Sequence, residues 1–452
     1  MFEKGGIIVS RIGLIGDNSV QYIDKLLEIW EKGNCAVLID WRIPYKTALE
    51  LINEAGVTEC FVEKKWYEKF HETDYKFETN NVLFIVYCNT NSNVMLLPID
   101  YYRRFIPDYS DNAAVILYSS GTTGNSKGII LSHFAINTNA DAIIDYMKPS
   151  NNDCIFIVKA ISHASTLVGE FLVALKCKIK LLISPTFITP RSVFKNINEF
   201  KVTILCLNPT LLNLYYNYYI KSRIALSTLK TIYVSGSILS ETLYNKIKLL
   251  NGINVYNVYG LSEAGPRVTA QRFDCSKTNS VGKCILGVKV LIMTKEGTLK
   301  KSHIPGGVFI SSPSIFSGYV NTNNNHKFFG NWLNSGDLGY FNNDDELVII
   351  GRQDNMIVNM GHNIFPETIE QVIINSGLVD ECVVYLRKIQ NEKEEVYQLA
   401  CKYTACKEVS YIEFVKACKL YLADYEIPKS YVYVDRLLKS PNGKIYRNNI
   451  EG

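Results

Sequence analysis

The chain predicts an α/β protein: a large N-terminal domain of stacked, mostly parallel sheets with helices and a β-rich subdomain, then a small α+β C-terminal domain. Three observations predict it. Strand-sized apolar runs alternate with helix-period segments through the first half of the sequence. From about Val281 the pattern turns to short strands broken by glycine, as in Gly306-Gly307-Val308-Phe309-Ile310-Ser311. A length of 452 residues also exceeds what one hydrophobic core supports, so two or more domains are expected.

Taken in order, Ile8-Val9 and Ile12–Ile15 are expected as short strands. Ser19–Lys32 has helical periodicity, with Tyr22, Leu26, Leu27, Ile29 and Trp30 on its apolar side. Cys35–Asp40 is the next strand and Tyr45–Ala55 the next helix. The alternation continues through Phe171–Leu175, Ile179–Ile183, Ser192–Phe200 and Val202–Cys206. Beyond Arg352 the pattern gives a helix (Pro366–Asn375), strands (Asp380–Arg387, Val396–Tyr403), a helix (Ser410–Leu422) and a strand (Tyr431–Val434). That suits a domain of about a hundred residues, and the division falls at residues 1–351 and 352–452. Asn-rich patches at Asn89–Asn93 and Asn321–Asn325 are expected as solvated loops.

Composition narrows the function classes. A hydrophobic content of 47% with 20% charged residues is ordinary for a globular protein, and a net charge of +4 gives no electrostatic case for nucleic acid. The 12 cysteines are scattered, mostly in apolar runs and without a Cys-x-x-Cys pair. They are expected as reduced core thiols, with no metal at Cys401, Cys406 and Cys418. Apolar runs such as Ile155–Val158 and Lys180–Ile183 are strand-sized, too short to span a bilayer. Met1–Gly6 lacks the features of a targeting peptide, so a cytoplasmic location is expected.

The most informative run is Tyr118-Ser119-Ser120-Gly121-Thr122-Thr123-Gly124-Asn125-Ser126-Lys127-Gly128. It joins the apolar runs Ala113–Leu117 and Ile129–Leu131, so it is a loop between strands. Its glycines let backbone N–H groups converge on an anion, and its hydroxyls and Lys127 add donors and charge. That chemistry suits a polyphosphate. A Walker A loop would need Lys followed by Ser or Thr and a helix behind it, whereas here Ser126 precedes Lys127. The bland alternative for this run alone is a polar turn.

Four more motifs follow. They are Tyr259-Gly260-Leu261-Ser262-Glu263, Ser335-Gly336-Asp337-Leu338-Gly339, Gly351-Arg352-Gln353-Asp354 with Gly361-His362-Asn363-Ile364, and Pro441-Asn442-Gly443-Lys444-Ile445-Tyr446-Arg447. Together, in this order and over nearly the whole chain, the five resemble the signature of the adenylate-forming superfamily. That superfamily holds acyl-CoA synthetases, peptide-synthetase adenylation domains and luciferases. The resemblance implies a large N-terminal domain and a mobile C-terminal lid.

It also implies roles, residue by residue. Ser119, Ser120, Gly121, Thr122, Thr123, Gly124 and Lys127 would grip the β- and γ-phosphates of ATP, and Ser262 would retain the phosphate contact of the family's usual Thr. Glu263 would hold Mg²⁺, a hard cation that prefers oxygen ligands. Asn257 would read the adenine edge, and Tyr259 and Gly260 would lie along the base. Ser235-Gly236-Ser237 would cover its other face. Asp337 would bind both ribose hydroxyls with help from Arg352, although a Gly-Asp pair alone is more often a turn. Lys444 would bridge the substrate carboxylate and the α-phosphate, and Asp354 would be the hinge of the lid. His163, in Ile161-Ser162-His163-Ala164-Ser165-Thr166, would gate acyl pocket and thiol tunnel; an interior hydrogen-bonded histidine is the equal alternative. Three departures stand out: Ser126 replaces a usual proline, Gly307 a common Glu, and Val358 a frequent lysine. None removes an essential group.

Amino-acid-activating members place an Asp between the positions of Lys159 and Leu167, and none is present here. With the His163 window and the segment 360–366, this looks closest to aryl- or acyl-CoA ligases such as o-succinylbenzoate–CoA ligase. The implied activity is adenylation of a small carboxylic acid by ATP, then transfer to the thiol of coenzyme A. A carrier-protein phosphopantetheine is the alternative acceptor. A nucleotide-binding protein without catalysis is the alternative from another class.

Overall fold

The computed structural model describes the chain apart from residues 1–8, 72–81, 90–93, 120–126, 187, 238, 249–251, 272–279, 322–326, 360–361, 391–394, 441–444 and 448–452. The N-terminal half begins β1 (Arg11–Gly16), α1 (Val20–Glu31), β2 (Cys35–Asp40), α2 (Tyr45–Ala55), β3 (Glu59–Glu63) and β4 (Leu83–Tyr87). It continues β5 (Met95–Leu96), β6 (Ala113–Ser119), β7 (Lys127–Ser132) and α3 (His133–Met147). Next come β8 (Cys154–Ile157), a helical run over 164–177, β9 (Lys180–Ile183), α4 (Pro190–Glu199), β10 (Ile204–Leu207) and α5 (Pro209–Ser222). β11 (Thr231–Val234), α6 (Glu241–Lys248), β12 (Asn254–Gly260), β13 (Arg267–Ala270) and β14 (Lys283–Cys284) complete the α/β part. The β-rich part holds β15 (Lys289–Met293), β16 (Leu299–Lys300), β17 (Gly306–Ser311), β18 (Gly318–Tyr319), β19 (Phe328–Phe329), β20 (Trp332–Phe341) and β21 (Leu347–Arg352).

These strands form two large sheets and a smaller third. The first runs β18-β7-β6-β2-β1-β3-β4 and the second β14-β13-β12-β11-β10-β8-β9-β5. Their central pairs are parallel. The third runs β16-β15-β17-β20-β19, with β21 on β20. Along β2 the side chains alternate between two cores: Ala36 and Leu38 face a central core, and Cys35, Val37 and Ile39 an outer one. β8 and β10 do the same in the second sheet, sending Ile155, Ile157 and Cys206 inward and Phe156, Leu205 and Leu207 outward. The central core therefore lies between the sheets, filled by α1, α3 and the 164–177 run, with α2 and α4–α6 covering the outer faces. Burial on both faces is why these strands are continuously apolar.

Local chemistry agrees with the elements. The hydroxyl of Ser19 caps α1 by accepting from Tyr22 N at 3.0 Å, and Ser132 caps α3 in the same way. One expectation needs correcting. Ile8 lies outside the described residues and Val9 is in no strand, because the ladder of β1 with β2 starts at Arg11 opposite Cys35. Phe171–Leu175 takes its place in the alternation as part of the helical run ahead of β9, with all five side chains buried.

After Arg352 the chain makes a 3₁₀ turn (Gln353–Asn355), β22 (Ile357–Asn359) and β23 (His362–Ile364). α7 (Pro366–Asn375), β24 (Glu381–Gln390), β25 (Glu395–Thr404), α8 (Tyr411–Lys419) and β26 (Ser430–Tyr433) follow. α7 opens on Pro366, whose fixed φ suits a first helical turn. Ile364, Ile369, Ile373, Leu399, Tyr403, Phe414 and Ile427 form a fourth core, built only from this segment.

Candidate nucleotide and acyl site

The end of β12 is the hub of the site. The strand delivers Asn257, buried with its amide nitrogen on Ser280 O at 3.1 Å, then Tyr259 and Gly260. A 3₁₀ turn over Ser262–Ala264 follows and carries Glu263.

One cluster forms around Asp337. The register of β20 on β21 sets Asp337 opposite Arg352. Arg352 Nη1 lies 3.1 Å from Asp337 Oδ1 and donates to Ser335 O at 2.9 Å. The Tyr259 hydroxyl donates to Asp337 Oδ2, and Arg352 Nη2 reaches Asp354 Oδ2 at 3.0 Å. Gly336 has φ +75°, and a Cβ there would sit 2.8 Å from Arg352 Nη2, so only glycine lets the guanidinium lie against the strand. Burial, then the carboxylate of Asp337, pushes the Tyr259 phenol well above its ordinary pKa. Burial opposes the charge of Arg352, yet Asp337 and Asp354 raise its pKa. A carboxylate has about four lone-pair sites. Asp337 thus has acceptor capacity for a vicinal diol such as a ribose.

A second cluster forms around Glu263. β18 pairs with β7, which places Tyr319 opposite Ile129, two residues past Lys127. The Tyr319 hydroxyl donates to Glu263 Oε1 at 2.7 Å, and Lys127 Nζ lies 5.4 Å from the centroid of the Tyr319 ring. A cation suited to phosphate and a carboxylate suited to a metal are thereby joined through one tyrosine. Burial, then Glu263, raises the Tyr319 phenol, so it stays a donor. No group of three or more His, Cys, Asp or Glu able to hold a metal occurs among the described residues. A single carboxylate joined through Tyr319 to a lysine fits Mg²⁺, which keeps its waters and takes substrate phosphates. Ser119 ends β6, whereas Ser120, Gly121, Thr122, Thr123 and Gly124 lie outside the described residues, as does Lys444. Ser235, Gly236 and Ser237 follow β11, and Gly236 takes φ +98°.

His163 belongs to a third group. Its Nε2 lies 3.1 Å from Arg42 Nη2 and 3.4 Å from Asp40 Oδ2, just beyond the C-terminal end of β2. Arg42 pairs with Asp40 at 2.5 Å. Burial works against the charge of Asp40, but Arg42 and His163 hold its carboxyl below the usual range. Asn18 steadies the approach to His163, accepting from Ile161 N at 2.9 Å and donating to Lys159 O at 2.8 Å. The sequence reading missed Asn18, Asp40, Arg42 and Tyr319. For Asp40 and Arg42 a signal existed: charged residues at the C-terminal end of an apolar parallel strand fall where such sheets open a ligand crevice.

Residues 6–320 match the AMP-binding enzyme family. The chain is 24% identical over 451 residues to a 2-succinylbenzoate–CoA ligase of Lactococcus lactis subsp. lactis, covering 98% of this chain and 90% of that protein. It is 22% identical to a long-chain-fatty-acid–CoA ligase of Yersinia pestis over 97% of this chain and 84% of that one. Among solved structures, o-succinylbenzoate coenzyme A synthetase (MenE) of Bacillus subtilis with ATP and magnesium superimposes with a TM-score of 0.82 at 21% identity, covering 98% of this chain and 89% of that one. The match spans most of the sequence and the fold agrees throughout: this chain belongs to the AMP-binding enzymes.

Proposed function

We propose that the protein is an AMP-forming acid–thiol ligase: it activates a carboxylic acid with ATP and passes the acyl group to the thiol of coenzyme A. The observation that carries this is the junction at the end of β12. There Tyr259 bonds Asp337, which pairs with Arg352, while four residues on Glu263 accepts from Tyr319, whose ring lies under Lys127. A carboxylate suited to a diol and a carboxylate–lysine pair suited to metal and phosphate are thus gathered by one short segment, the set of groups a nucleoside triphosphate needs. Relatives named as CoA ligases, and a neighbour solved with the acyl-adenylate intermediate OSB-AMP, support the same chemistry.

In the first half-reaction a substrate carboxylate oxygen attacks the α-phosphorus and the bond to pyrophosphate breaks. Two anions approach, so catalysis is positioning plus electrostatic stabilisation. Mg²⁺ held on Glu263 would neutralise charge on the phosphates. Lys127 contributes fixed positive charge toward the leaving pyrophosphate, Asp337 and Arg352 fix the ribose, and Lys444 is assigned to the reacting carboxylate and α-phosphate. In the second half-reaction a thiolate attacks the acyl carbon and AMP leaves. His163 is assigned to the boundary between acyl pocket and thiol path, with Arg42 and Asp40 orienting its ring. Residues 352–452 are assigned as the lid, a reading supported by their separate core.

The test is carboxylate-dependent pyrophosphate release across aryl, fatty and amino acids, with and without coenzyme A. Release by an aryl or acyl acid that rises with coenzyme A is expected. Release that ignores coenzyme A would redirect the proposal to a carrier-protein acceptor. No release with any acid would overturn it.

A further inference from the structure

Two carboxylates near the start of α7 hold the C-terminal segment together at its two ends. Glu370, 8% exposed, receives a fork from Arg447: Nη2 lies 2.6 Å from Oε2, and Nη1 lies 2.8 Å from Oε1. Glu370 Oε1 also accepts from Val384 N at 2.7 Å, so one buried carboxylate ties the tail to both α7 and β24. Paired N–H···O bonds fix direction as well as distance, which a lysine in the same place would not do. Arg447 is therefore rigidly seated, although it lies beyond the last strand.

Glu367, one turn earlier, reaches the hinge side. Its Oε1 accepts from Asn355 Nδ2, in the turn that carries Asp354, and lies 3.6 Å from Arg447 Nη2. Its Oε2 is buried without a hydrogen-bond partner and lies 2.8 Å from where a Cβ of Gly351 would stand. Only glycine lets α7 come so close to the end of β21. Polar contacts thus run from Asp337 through Arg352 and Asp354 to the turn, then from Asn355 through Glu367 to Arg447.

The chain on either side of residues 441–444 is pinned as well. Ile445 bridges Lys439, Tyr446 N donates to Leu438 O at 3.0 Å, and Lys439 Nζ lies 2.5 Å from Glu381 Oε1 at the start of β24. Lys444 directly precedes that bridge in the sequence, and Arg447 follows it by two residues. Neither Ile445 nor Tyr446 is buried, so apolar packing does not fix this stretch, and the fork on Glu370 does. A long side chain that must meet a carboxylate and a phosphate at once needs such an anchor, since misplacement by about 1 Å costs about 10²-fold in rate.

We infer that Arg447 is a positioning residue for the adenylation step: its fork on Glu370 sets the tail against α7 and so holds the backbone that carries Lys444. This rests on the acid-activating reading and on the role assigned to Lys444 in it. Glu367 joins the same α7 to the hinge turn, so tail and hinge move as one body when the lid turns. The second half-reaction does not use Lys444, so it does not need the fork. Burial raises the Glu370 carboxyl above its ordinary pKa although Arg447 opposes this, so Glu370 without Arg447 takes up a proton rather than unfolding the domain.

The test measures the two half-reactions separately in the full chain, with the acid that gives the most pyrophosphate release and with its synthetic acyl-adenylate plus coenzyme A. Arg447→Gln should slow adenylation by about 10²-fold with the KM for ATP unchanged, while thioester formation from supplied acyl-adenylate stays within about twofold. Glu370→Gln should do the same. The deciding step is a double-mutant cycle with Lys444→Ala: an effect that acts through Lys444 disappears once that lysine is gone, whereas a purely structural effect persists. No further slowing by Arg447→Gln in the Lys444→Ala background is expected. Further slowing there, equal loss in both half-reactions, or unchanged adenylation in Arg447→Gln each overturns the inference. Should Arg447→Gln form no thioester from supplied acyl-adenylate and so prove misfolded, Arg447→Lys decides: it keeps the charge but loses the fork, and unslowed adenylation overturns the inference. Wild-type release that ignores Arg447 removes the positioning role and leaves the ligase reading standing; no wild-type release with any acid removes both.

Discussion

Tyr319 touches both residues proposed for the phosphate chemistry, its hydroxyl on Glu263 and its ring under Lys127. A hydrogen bond to a ligating carboxylate orients it, and losing such support typically costs about 10–100-fold in metal affinity. Tyr319→Phe should therefore raise the Mg²⁺ concentration for half-maximal pyrophosphate release by about tenfold or more, with the KM for the acid unchanged. A magnesium titration checks this, and an unshifted midpoint would assign Tyr319 to packing alone. At this scale the motifs were legible because each is a short run of unusual residue types. Tyr319 was not: a tyrosine after Gly318 in a two-residue strand has no local signature, and only the pairing of β18 with β7 brings it to Glu263.

Among the elements, β20 and β21 do most to build the nucleotide side, since their register sets Asp337 against Arg352. A Gly-Asp pair such as Gly336-Asp337 is by itself more often a turn, because Gly and Asp disfavour strands, yet it lies inside β20. Pairing on both sides, with β17 and β21, overrides that preference. The parallel strands were easier, since burial on both faces leaves a continuous apolar run. The turn after β21 is short and half-exposed, with Asp354 tied to Arg352 and Met356 N bonded to Gln353 O at 3.2 Å. It is the one covalent link between the third sheet and the C-terminal core. Asp354→Pro should fix it, sparing acyl-adenylate formation within about twofold while slowing thioester formation by about 10²-fold, the scale on which misplacement acts. Single-turnover assays of each half-reaction check this; equal rates for both would remove Asp354 as the hinge.

For the whole molecule, the contacts that tie the first sheet to the second matter most. Asn18 donates to Ser184 O at 3.1 Å as well as to Lys159 O, and the Asp40–Arg42 pair holds His163 at the head of the 164–177 run. The carboxyl of Asp40 titrates below its unfolded value, which is about 3.9. Its contribution to stability is therefore complete above that value and disappears as pH falls through the lower folded pKa. The stability of the wild type relative to Asp40→Asn should be greatest near neutrality and shrink toward pH 3, measured by denaturant unfolding at several pH values. A pH-independent difference would contradict the pairing. The ties of Asn18 to Lys159 and Ser184, and of Arg42 to His163, were not legible in the sequence, since each joins residues more than a hundred positions apart. The 164–177 run carries a last consequence. Beside Thr166 and Glu170 it supplies Leu167, Val168, Phe171 and Leu172 to the core that joins the two sheets. Trimming one such side chain would remove about 2–5 kcal/mol of packing, from a total stability of about 5–15 kcal/mol. Variation along this run should therefore be confined to exchanges of equal volume, and a lineage that truncated it step by step would lose the seam between its sheets, and with it the fold, within about two or three such changes.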